Sequence, residues 1–142
     1  MWQRTLKTKI AFLAKTIVAL IIIFILHMVI FTIVMNSNLR YLDLHRFGKW
    51  EIEVYLLLST VIPFLICVAI GIGLVLRFLG GDFKMAIFVG GCAGLLHFTL
   101  SIPKSVTIFN GVTVMFLLHI PVAALVGGLT YYIISKLTSK AL

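Results

Sequence analysis

The sequence predicts an all-α integral membrane protein: a four-transmembrane-helix bundle, up-down-up-down, with N- and C-termini cytoplasmic. Three observations predict it. Four long apolar runs occupy most of the 142 residues. The acidic residues Asp43, Glu51, Glu53 and Asp82 all fall between the runs. Lysine and arginine collect at the run ends. A hydrocarbon layer excludes unpaired charge, so lipid imposes this distribution on a chain that crosses it. Composition agrees, with 62% hydrophobic and 11% charged residues, against about 25% charged in a soluble domain. A single membrane domain over residues 1–142 accounts for the chain.

The first run, residues 16–35, follows Arg4, Lys7, Lys9 and Lys15. A basic start before an apolar stretch is also the plan of a secretion signal. At about 20 residues this stretch exceeds the 7–15 of a signal core, and no small-residue cleavage site follows. It reads as a retained first span. The runs 54–76, 85–102 and 111–134 are each close to the ~20 residues that cross the hydrocarbon as helix. Between the second and third, Gly80 and Gly81 predict a tight turn. Residues 36–53 form the longest connection. Tyr41, Phe47 and Trp50 lie there among charges, which predicts a segment in the outer interface.

Orientation follows from the cations. With the N-terminus inside, the inner segments hold Arg4, Lys7, Lys9, Lys15, Arg77, Lys84, Lys136 and Lys140. The outer segments hold Arg40, Arg46, Lys49 and Lys104. The inner excess predicts both termini in the cytoplasm, and a bacterial inner (plasma) membrane is the expected location. Membrane lipid head groups account for the net charge of +8, and no nucleic-acid partner is expected. Cys67 and Cys92 fall inside apolar runs, where they read as small core residues and not as a disulfide.

Small residues recur four apart: Ala69 and Gly73 in the second run, Gly90 and Gly94 in the third, Ala123 with Gly127 and Ala124 with Gly128 in the fourth. That spacing sets them on one helix face and permits close backbone approach. It serves packing inside one bundle, self-association or contact with a partner. Pro63 and Pro121 lie within runs and each removes a backbone hydrogen bond.

Three histidines lie within runs. His27 is eight residues before Met35, His97 five before Ile102 and His119 eight after Gly111. At 1.5 Å per residue all three lie roughly 8–12 Å below the outer edge of the hydrocarbon. Thr32, Ser59, Thr60, Thr99, Ser101 and Thr113 share that half. The candidate ligand-binding set is His27, Ser59, Thr60, His97, Thr99 and His119. Imidazoles in such a set suit a transition metal or a haem held between two helices. They equally suit a small polar ligand, or simple hydrogen bonds between helices. No His-x-x-x-His spacing favours metal, so no cofactor is assigned.

No Gly-x-Ser-x-Gly, His-Glu-x-x-His or phosphate loop is present, and no catalytic residue is assigned. No carboxylate lies within a run to carry a proton or cation. The expectation is a non-enzymatic accessory, immunity or assembly protein acting by helix–helix contact with a larger membrane partner. The alternatives are an outer-side ligand-, haem- or metal-binding module built on the three histidines, and an oligomeric channel or carrier.

Overall fold

A computed structural model describes the backbone of residues 2–38, 49–101 and 111–139, and the side chains of residues 6–33, 60–100 and 118–139. It consists of four α-helices: α1 (Trp2–Asn38), α2 (Lys49–Leu79), α3 (Phe83–Ser101) and α4 (Gly111–Ser139). All four are long and apolar enough to cross a membrane.

The helices outrun the apolar runs. Neither glycine nor proline interrupts residues 2–38, so α1 continues through the basic segment ahead of Thr16. At 1.5 Å per residue its 37 residues extend about 55 Å, well beyond a ~30 Å hydrocarbon layer. Hydropathy marks where lipid lies, not where hydrogen bonding stops. The 36–53 connection is corrected for the same reason: residues 36–38 belong to α1 and 49–53 to α2. Its centre, including His45, lies outside the described residues. α2 and α4 run on through Pro63 and Pro121.

The α2–α3 turn is capped from both sides. Gly80 ends α2 with φ of 67°, the left-handed conformation that closes a helix without a Cβ penalty. Asp82 then starts α3. Its Oδ1 accepts the Met85 backbone N–H at 2.8 Å, and its carbonyl accepts the Ala86 N–H at 3.1 Å, the arrangement of an N-cap. A Cβ at Gly80 would meet Lys15 Nζ at 3.9 Å, so an ammonium lies where the α2 carbonyls end.

The most extensive pairing joins α3 and α4, followed by α1 with α2 and α2 with α4. α1 with α3 and α2 with α3 touch more lightly. Short turns lead one to expect consecutive helices as the principal neighbours. α2 and α3 depart from this despite their three-residue link, because the small face of α3 is complementary to α4. A Cβ at Gly90 would collide with the Ala123 carbonyl and stand 3.0 Å from Ala124 Cα. One at Gly94 would stand 2.9 Å from Ile120 Cα. Gly127 faces the Ala86 carbonyl in the same way, and Gly128 meets Phe83 and Ile87. Gly73 faces Thr130 and Ile134 across α2–α4. Ala69 is half-buried on the same helix. The small-residue faces are therefore used inside the chain. Lipid supplies no hydrophobic drive between helices, so close dispersion contact has to supply the association.

α1 joins through one face, Thr16, Ala19, Ile23 and His27, buried at helical spacing. Ile23 packs against Gly71 of α2. Gly71 was not among the small pairs read from sequence. Its partner four residues earlier is Cys67, also fully buried, so the signal was there once cysteine is counted as small. The opposite face of α1 is apolar and exposed, including Ile21, Ile25 and Met28.

Adjacent glycines make this packing testable. Gly90→Ala places its methyl against the Ala123 carbonyl and should cost about 1–3 kcal/mol. Gly91→Ala meets only Ala124 Cβ at 3.9 Å and should stay within about 0.5 kcal/mol of the parent. Unfolding by steric trapping in bicelles separates the two, and equal effects would contradict the interface.

Candidate functional site

The three histidines, set on α1, α3 and α4, meet in the half of the bundle remote from the Gly80 turn. His97 is central and 2% exposed, while His119 is 3% and His27 8% exposed. The ring centroids of His97 and His119 are 5.0 Å apart, with planes at 74°. His97 Nδ1 and His119 Nε2 are 3.1 Å apart, a buried hydrogen bond between α3 and α4. One of these nitrogens donates and the other accepts, so the bond couples the tautomers of the two rings. The His27 ring stands 4.9 Å from that of His97 at 81°.

The fourth helix contributes Phe64. Fully buried, its ring stacks on His97 at 4.1 Å and 17°. It meets His27 edge-on at 5.5 Å and His119 at 6.0 Å. One phenyl thus touches all three imidazoles. Sequence reasoning missed Phe64, because an aromatic in a span reads as lipid contact or core. Its position next to Pro63, at the depth of the histidines, was the available signal. Phe31 completes the cluster, 5.9 Å from His27 one turn along α1.

The hydroxyls behave differently from expectation. Thr99 is exposed, and its Oγ1 donates to the Leu96 carbonyl at 2.9 Å. Thr32 is exposed and donates to the Met28 carbonyl at 2.7 Å. In both, a helical threonine satisfies its hydroxyl on its own preceding turn and needs no polar pocket for it. Pro121 is also exposed. Thr60 is half-buried. The side chains of Ser59, Ser101 and Thr113 lie outside the described residues.

The arrangement does not fit a haem between imidazoles. Two axial nitrogens on opposite sides of an iron stand about 4 Å apart with a macrocycle between them. Here His97 and His119 bond directly at 3.1 Å, and Phe64 fills the adjoining face. Among the described residues, no group of three or more histidine, cysteine or acidic side chains is disposed to hold a metal ion. What the cluster offers is a closed, mostly aromatic environment with one interhelical hydrogen bond. It also holds a nitrogen without a partner: His27 Nδ1 is buried and makes no hydrogen bond. Comparison with protein-family models, curated proteins and solved structures finds no match to this chain.

Removing Phe64 should be costly. Phe64→Ala leaves a cavity under three rings and is expected to destabilise by about 3–5 kcal/mol. A double-mutant cycle of His97→Phe and His119→Phe should return a coupling of about 0.6–1.7 kcal/mol, the range for hydrogen bonds between membrane helices. Thr99→Val should be silent. Unfolding titrations in lipid mimetics read all three, and a zero coupling would remove the bond.

Proposed function

We propose that this chain is a small, non-enzymatic accessory, immunity or assembly protein of a bacterial inner membrane, acting through helix–helix contact with a larger membrane partner. In this reading it crosses the membrane up-down-up-down with both termini cytoplasmic. The basic ends of the helices support that orientation: Lys7, Lys9 and Lys15 on α1, and Arg77, Lys84 and Lys136 beside the other ends that share that side.

One observation carries the reading. The small-residue faces of α2, α3 and α4 are spent on internal packing; apolar stripes remain exposed on several helices, Leu125 and Leu129 of α4 among them, and the longest is that of α1. Ile21, Ile25 and Met28 are 52%, 59% and 62% exposed. Five turns of aliphatic surface on the longest helix form a face that lipid solvates and another membrane helix can replace. The glycine faces would have been the natural seam of an oligomeric channel or carrier, and their internal use favours the accessory reading over that one.

Reporter fusions at the two tails should both report a cytoplasmic location. A photo-crosslinking residue at Ile17, Ile21 or Ile25 should give one discrete adduct in cells. The same residue at Leu125 or Leu129 of α4 should give none. Opposite locations of the tails would refute the topology. Adducts from α4 but not α1, or no adduct and no complex lost on deletion of the protein, would refute the partner contact.

A further inference from the structure

We propose that the turn joining α2 to α3 binds the head group of an anionic phospholipid, with its phosphate held among Lys15, Arg77 and Lys84.

The proposal uses residues that the partner contact on α1 does not, and it holds whichever side of the membrane this end of the bundle faces. Three helices bring cations to one turn. Arg77 lies in the last turn of α2, three residues before Gly80, and Lys84 is the second residue of α3. Lys15 reaches the same place from α1: its Nζ lies 3.9 Å from where a Gly80 Cβ would stand. Arg77 and Lys84 are exposed and Lys15 is half-buried. A lysine of this kind lays its apolar stem along the bundle and keeps its ammonium at the interface. Lys15 Nζ thus marks the level at which hydrocarbon gives way to head groups, and Gly80 adds no side chain to cover it.

Asp82 is the one carboxylate among the described side chains. Its Oδ1 is turned onto the Met85 N–H at 2.8 Å, where it caps α3. Among the described residues no ion pair ties it to Lys15, Arg77 or Lys84. Lys15 meets the carbonyl end of α2 instead. The turn therefore carries three positive charges against one negative, and that one serves the helix start. Basic pockets between membrane helices at the head-group level are suited to anionic lipids.

The apolar side chains of the same segment favour a lipid over a free anion. Phe78, Leu79 and Phe83 are 74%, 48% and 49% exposed. A free phosphate gains nothing from them. A phospholipid joins its phosphate to acyl chains, so one molecule meets the cations and the exposed rings together. The cations also discriminate between head groups. Phosphatidylcholine carries an ammonium beyond its phosphate, which Lys15, Arg77 and Lys84 repel, whereas phosphatidylglycerol carries hydroxyls there. Each basic residue near an anionic lipid surface contributes about fivefold to binding.

The test is native mass spectrometry of the full chain released from nanodiscs made of equal parts phosphatidylcholine and phosphatidylglycerol. One phosphatidylglycerol should be retained in preference to phosphatidylcholine. Lys15→Gln, Arg77→Gln and Lys84→Gln should each lower that preference about fivefold, and Lys15→Arg should keep it. Lys136, held over the Tyr132 ring at 4.6 Å, is a cation of α4 outside the turn, and Lys136→Gln should leave the preference unchanged. Excess inorganic phosphate should not displace the lipid. Equal retention of the two lipids, a preference that survives Lys15→Gln, an equal loss from Lys136→Gln, or displacement by phosphate would each overturn the proposal. No partner protein is present in the experiment, so its outcome is separate from that of the α1 contact.

Discussion

The structure depends on the approach of two backbones. Gly90, Gly94 and Gly127 remove the side chains that would hold α3 and α4 apart, and carbonyls and Cα atoms occupy the vacated space. The histidine bond is a result of the same approach. His97 follows Gly94 by three residues, and His119 precedes Ile120, whose Cα is the atom that Gly94 admits. Two imidazoles on these helices reach 3.1 Å because the chain beneath them has already closed. The polar contact then fixes rotation, which a smooth small-residue seam leaves loose.

The bundle is consequently uneven. α3 and α4 interlock through backbone atoms, which resist deformation. α1 is joined by side chains: Ile23 over Gly71, Phe12 beside Phe88 at 5.6 Å and His27 beside His97. Two ring contacts, near opposite ends, account for much of what α1 shares with α3. A helix held by side chains can shift by rotamer changes, whereas one held by its main chain cannot.

Much of this was legible in the sequence, and the omissions have physical causes. The four spans were readable because charge and hydrocarbon exclude one another. The Gly80–Asp82 turn was readable because few residue types serve as caps. The common depth of His27, His97 and His119 followed from helical rise alone. Their convergence did not, since it depends on the rotation of three helices about their axes. Helix ends were misjudged at residues 36–38 and 49–53 because polar sequence can remain helical in the interface. The local bonds of Thr99 and Thr32 were not read because a hydroxyl with a carbonyl of its own turn within reach leaves no mark in the sequence. Phe64 and Gly71 were overlooked because each is ordinary by type and takes its meaning from what packs on it.

The three-residue link between α2 and α3 has a consequence for how the molecule is made. Ribosomal synthesis delivers these two helices as a hairpin, yet α3 finds its closest companion only in α4. Until α4 emerges, the carbonyls that later receive the Gly90 and Gly94 face are not yet there, and a flat strip of exposed backbone meets acyl chains. The α2–α3 hairpin is therefore incomplete by itself, and the arrival of α4 closes the seam.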